Sequence, residues 1–197
     1  MKDLIQKQLR ESAEVKLLVA KHLSGKIAKA AQMIIDTYRK GGKVLLVGNG
    51  GSAADAQHIA GELVGHLNPK NSRMALPAMA LTTNTSFLTA MGNDHGYELA
   101  FQRKVEAFAR PEDLLIAIST SGASLNILHA ARVARSRGTK VIAFSGKGGG
   151  PLKDIADLSL TVPSNDTQRI QEAHIAIGHV ICDLIEQEFM DHETKFV

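Results

Sequence analysis

Between Lys43 and Pro163 one pattern recurs five times: a short continuous apolar run, a turn rich in glycine or hydroxyl residues, then a polar or helix-forming stretch. The runs are KVLLVG (43–48), AMALTT (78–83), DLLIAIS (113–119), TKVIAFSG (139–146) and LSLTVP (158–163). A strand with one wet face alternates apolar and polar residues, whereas these runs, LSLTVP apart, do not, so they suit strands covered on both sides. Helical patterns between them, such as SAADAQHIAGELVGHL and LNILHAARVARSRG, supply the covering layers. The expected architecture is therefore α/β: a three-layer αβα sandwich around a five-stranded parallel sheet.

Residues 2–23 and 25–39 predict two helices ahead of the first strand, separated at Ser24-Gly25 and ended by Gly41-Gly42. Helices outside the repeating pattern are free to serve oligomerisation. After the last run, TQRIQEAHIAIGHVICDLIEQEFM predicts one long closing helix. No linker, repeat or low-complexity tract interrupts residues 1–197, and that length suits a single domain with one sizeable core.

Charge narrows the partners. The net charge is +3, with Lys and Arg interleaved among Asp and Glu rather than gathered into a stripe. That balance favours a small anionic ligand over nucleic acid. The one cysteine, Cys182, excludes an internal disulfide and suits a reducing compartment. MKDLIQKQLRESAEVK has no signal-peptide centre, and no stretch approaches the roughly 18 apolar residues of a membrane span. A cytoplasmic protein without membrane contact is expected.

Two of the turns look built for a phosphate. Gly48, Gly50 and Ala53 match G-x-G-x-x-A, the dinucleotide fingerprint, but the second strand ends Leu81-Thr82-Thr83-Asn84 without the carboxylate that would hold a ribose. A Walker ending is also missing. The other turn, Ser119-Thr120-Ser121-Gly122-Ala123-Ser124, lies between an apolar run and a helix. Helix N-termini present free N–H groups and the positive end of the dipole, and capping needs only one hydroxyl. The surplus hydroxyls predict a phosphate site. With few aromatics and no adenine pocket signature, a sugar phosphate is the better fit and no nucleotide cofactor is expected.

His58 and Glu62 stand four residues apart on one predicted helix face, among Ile59, Ala60, Leu63 and Val64. A carboxylate on such a packed stretch loses water and becomes a stronger proton acceptor. On the closing helix, Gln171 and His179 are separated by about 80° in projection, with His174 about 60° to the other side of Gln171. Spacing does not choose between the two histidines. Imidazole, carboxylate and amide oxygen together can hold a divalent metal such as zinc, although the spacing matches no recognised metal signature.

GNGGSAADAQHIAGEL, TAMGNDHG, AISTSGASLNIL and RIQEAHIAIGHVICDLIE, in that order and across essentially the whole chain, resemble the phosphoheptose (sedoheptulose 7-phosphate) isomerases of the SIS fold. The resemblance implies interconversion of sedoheptulose 7-phosphate and glycero-manno-heptose 7-phosphate for bacterial surface heptose. It implies Glu62 as the base moving a proton between C1 and C2, His179 as the opposing acid/base, and zinc held by His58, Glu62, Gln171 and His179. Ser119, Thr120, Ser121 and Ser124 would hold the phosphate, while Asn49, Gly50, Gly51, Ser52, Asn93 and Asp94 would line the sugar. Homotetramers with sites between subunits are implied as well.

One position departs from the pattern. Where relatives carry an Arg that reaches the phosphate, this chain reads Glu62-Leu63-Val64-Gly65-His66, and Lys70 and Arg73 are the candidates to replace it. Rival readings are a non-catalytic SIS adaptor for the replication initiator, a sugar-phosphate-sensing regulator and an isomerase of another phosphosugar. The adaptor pattern lacks the Glu and final His present here, and the 42 residues before the first strand leave little room for a DNA-binding module.

Overall fold

The computed structural model describes residues 1–190. Five parallel strands form one sheet: β1 (Val44–Val47), β2 (Ala78–Ala80), β3 (Leu114–Ser119), β4 (Lys140–Ser145) and β5 (Leu158–Thr161). Their order is β2-β1-β3-β4-β5. Every residue of β1 and β3 is buried, as expected of non-alternating runs, whereas the edge strand β2 is only partly covered, with Met79 exposed.

The two sheet faces feed two separate cores. On one, Val44, Leu46, Ile116, Ile142 and Phe144 pack with α1 (Lys2–Arg39), α2 (Gly51–Val64) and α7 (Thr167–Glu188). On the other, Leu45, Val47, Leu115, Ala117 and Val141 pack with α4 (Ala100–Phe108), α5 (Leu125–Ser136) and α6 (Gly150–Ile155). The period of two along each strand thus sorts neighbouring residues into opposite layers. A further helix, α3 (Thr85–Asp94), follows β2 and contains no buried residue. It leads through a short 3₁₀ turn, Tyr97–Leu99, into α4.

The expected break at Ser24-Gly25 does not occur: α1 runs unbroken from Lys2 to Arg39. A helical glycine costs about 1 kcal/mol relative to Ala. Val19, Leu23, Ile27, Ala30 and Ile34 continue the buried stripe across Gly25, and burying even one such side chain is worth about 1.5–3 kcal/mol. Ser24 Oγ also bonds back to the Ala20 carbonyl, which a helix tolerates. No helix among the described residues is long and apolar enough to cross a membrane.

The strand order places the functional turns. From β1 the chain moves outward to β2, then returns to place β3 on the other side of β1. At such a switch point the two turns leaving the C-terminal strand ends diverge and open a crevice. Here those turns are Gly48–Gly50, after β1, and Thr120–Ser124, after β3.

Candidate active site

Asn49 and Asn126 bridge the switch point. Asn49 Nδ2 donates to Asn126 Oδ1 at 2.9 Å, and Asn126 Nδ2 returns a bond to Asn49 Oδ1 at 2.8 Å. Tyr97 adds its hydroxyl to Asn49 Oδ1 at 3.2 Å. The glycine turn is thereby tied to the start of α5 and to the segment after α3. Asn126 and Tyr97 were not singled out from the sequence, because a reciprocal amide pair 77 residues apart has no local signature.

Ser119 ends β3, and Ser124 is the residue before α5. Ser124 makes no side-chain cap on the helix; its hydroxyl instead lies 3.1 Å from that of Ser119. The Ser121 hydroxyl accepts from the Ala123 N–H at 3.2 Å, and the Thr120 carbonyl accepts from the Gly146 N–H at 3.1 Å. Hydroxyl groups thus collect at a helix entrance without being consumed by capping, which is an anion-friendly arrangement.

The helices α2 and α7 run side by side in the same direction. Gly51 meets Gln171 at one level, Ile59 meets Gly178 further along, and His58 meets His179 beside that contact. Gly178 permits the approach: a Cβ there would lie 2.7 Å from Ile59 Cδ1. Gly51 serves Gln171 in the same way, since a Cβ there would lie 2.8 Å from the Gln171 amide nitrogen.

Three predicted residues converge at this junction. His58 Nε2 lies 2.8 Å from His179 Nε2 and 3.3 Å from Glu62 Oε1. One ligating atom from each of His58, Glu62 and His179 falls within 4.8 Å of the others. Two imidazole lone pairs facing each other at that separation repel unless a proton or a cation lies between them, so the donor set fits a metal ion. Half of the His58 side chain is exposed against 19% for Glu62, so the cluster opens to solvent in the single chain.

The structure brings His179, and not His174, to the cluster. His174 is fully buried, its Nε2 lies 3.0 Å from the Ser145 carbonyl, and burial pushes its pKa down to about 4 despite that hydrogen bond. It is a core residue that fastens α7 to the end of β4. Gln171 rests at the glycine turn two helical turns before His179, and among the described residues no hydrogen bond joins its amide to the cluster. Asn93 and Asp94 are exposed at the end of α3, where Asn93 donates to Asp94 at 2.7 Å. Neither hydrogen-bonds to the cluster among the described residues.

Asp55, one turn ahead of His58, was also missed. Its Oδ2 is buried without a hydrogen-bond partner among the described residues. Burial pushes the carboxyl up to about 6, with the His58 charge acting in the opposite sense.

The candidates to replace the phosphate Arg divide clearly. Lys70 is exposed. Arg73 is not available to a ligand: it is buried, with its guanidinium engaged by Glu186 and by three carbonyl oxygens. Of the two candidates, Arg73 is therefore set aside.

The SIS domain profile matches residues 9–146. A phosphoheptose isomerase from Geobacter sp. (strain M21) is 51% identical over 188 residues, covering 95% of this chain and 97% of its own. The chain belongs to the phosphoheptose isomerases of the SIS domain family. A second member, from Aquifex aeolicus, is 51% identical over 187 residues, 95% of this chain and 97% of its own. Among solved structures, phosphoheptose isomerase from Neisseria gonorrhoeae is 41% identical with a TM-score of 0.89, covering 94% of this chain and 98% of that one. Membership extends beyond the profile match, because these full-length alignments include α7 and its Gln171 and His179.

Proposed function

We propose that this chain interconverts sedoheptulose 7-phosphate and glycero-manno-heptose 7-phosphate, feeding bacterial heptose synthesis. The convergence of His58, Glu62 and His179 at the α2–α7 junction carries the proposal, within a family whose relatives are named for this isomerisation. Moving a carbonyl from C2 to C1 requires removal of a weakly acidic proton from C1, its return to C2, and proton exchange between the two oxygens. Glu62 is the base: it takes the C1 proton as the enediol forms and returns a proton to C2. His179, within 4.8 Å on the opposite helix, serves the oxygens as acid and then base.

His58, Glu62 and His179, with Gln171 as the fourth ligand, would hold zinc. When bound, that ion supplies Lewis-acid stabilisation of negative charge developing on the substrate oxygens. Ser119, Thr120, Ser121 and Ser124 bind the phosphate at the entrance to α5. Asn49, Gly50, Gly51 and Ser52 line the sugar, together with Asn93 and Asp94. The solvent-open cluster favours sites completed between subunits of a cytoplasmic homotetramer, since a covered site excludes the water that competes for these groups.

Incubation with sedoheptulose 7-phosphate in deuterated water, followed by NMR, tests the reading. Aldose with deuterium at C2 is the expected product. Unchanged ketose, under conditions where the protein is folded and zinc-loaded, would contradict it.

A further inference from the structure

Arg73 and Glu186 are 2% and 1% exposed in their side chains, and they meet through Arg73 Nε and Glu186 Oε2 at 3.3 Å. Their remaining bonds are directed. Arg73 Nη2 donates to the Glu62 carbonyl at 2.6 Å, while Nη1 donates to those of Leu63 and Met74, both at 2.9 Å. Glu62 and Leu63 belong to the last turn of α2, whose carbonyls have no partner further along the helix and carry the negative end of its dipole. A planar guanidinium is suited to this task because it offers five N–H groups in a fixed fork.

Glu186 completes the clamp from the other helix. Its carboxylate accepts from the N–H groups of Leu67 and Asn68 at 2.9 and 3.0 Å and from the Asn71 amide at 2.8 Å. Burial alone would raise its pKa, but the bonds from Leu67, Asn71 and Asn68, with the charge of Arg73, hold it below the usual carboxylate range. Glu186 lies seven residues after His179, two turns along the same face of α7.

We infer that Arg73 and Glu186 are a positioning pair that locks the Glu62 end of α2 to the His179 face of α7. The inference deepens the isomerase proposal and rests on it for the identity of the reacting groups. The pair touches no substrate; it sets the separation and direction of the two residues that do. An error of about 1 Å in such a separation is enough to cost on the order of 10²-fold in rate. Groups that orient metal ligands typically affect metal affinity by about 10–100-fold.

Arg73→Lys keeps the charge but cannot span Glu186 and three carbonyls. The expected result is a folded protein, by circular dichroism, whose kcat falls about 10–100-fold while KM and inhibition by inorganic phosphate change less than about twofold. Zinc affinity, measured by competition with a chelator, should weaken by at least about tenfold. Unchanged kcat and zinc affinity would overturn the inference, as would a loss confined to KM and phosphate inhibition, which would make Arg73 a phosphate ligand. If Arg73→Lys does not fold, Glu186→Gln is read by the same criteria. Should wild type bind zinc but fail to isomerise sedoheptulose 7-phosphate, the functional reading fails while the zinc comparison still decides the role of Arg73.

Discussion

Glu62 and His179 approach one another because Gly178 lets α7 lie against Ile59 of α2. The histidine of the His58–Glu62 pair then faces His179 rather than water alone. Glu62→Gln keeps the shape of the side chain but removes its basicity. Its isomerase rate should fall by about 10²–10⁴-fold, the usual contribution of a general base, with the thermal melt unchanged. Gly178→Ala acts through geometry instead. The added methyl must displace Ile59, so activity and zinc affinity should both fall while Glu62 and His179 remain chemically intact; wild-type values for both would show that the close helix approach is unimportant. At this scale the sequence revealed the i, i+4 pair, because one helix face is local information. Spacing did not show which closing-helix histidine joins it, because that depends on the parallel alignment of α2 and α7; only the family resemblance pointed to His179.

Among the elements, the strands and the helical character of residues 2–39 were legible, but the continuity of α1 across Gly25 was not. Runs such as Leu114–Ser119 are buried on both faces, and continuous apolar sequence is the direct trace of that burial. Gly25 carries a local breaking signal, yet the buried stripe on either side of it decides the outcome. A Cβ at Gly25 would meet nothing within 4 Å. Gly25→Ala should therefore stabilise the fold by about 0.5–1 kcal/mol, raising the melting temperature by up to about 4 °C. A lower melting temperature would mean that the glycine answers a constraint outside the single chain. The segment after β2 carries no clear helical period in the sequence, since α3 buries no residue. Arg73 and Glu186 were equally silent as a pair, being 113 residues apart.

For the whole molecule, acid and assembly are the informative variables. His174 is held neutral in the core, with a pKa near 4 against 6.5 in an ordinary setting. An unfolded chain therefore binds a proton below about pH 6.5 that the folded chain refuses until about pH 4, so His174 makes stability fall with pH across that window. Melting temperatures recorded from pH 7.5 to 4 should show this slope, and His174→Gln should flatten it. An identical slope in both proteins would move the effect elsewhere. Assembly concerns an apolar groove between α1 and α7, lined by Val19, Ile27, Ala173, Ile177, Val180 and Leu184. Leu4, Leu9 and Leu17 of α1 are exposed as well. Light scattering should give a mass near four times the 21.1 kDa chain, reduced in the Val180→Glu, Leu184→Glu variant. A monomeric wild type would remove the tetramer and the shared site.

The most direct test of the central claim, that Glu62 moves the substrate proton, is exchange of substrate carbon-bound hydrogen with deuterated solvent. Wild type should carry deuterium into the sugar phosphate as the two isomers equilibrate, and folded Glu62→Gln should leave the label in solvent. Exchange by Glu62→Gln at the wild-type rate would assign the proton to another group.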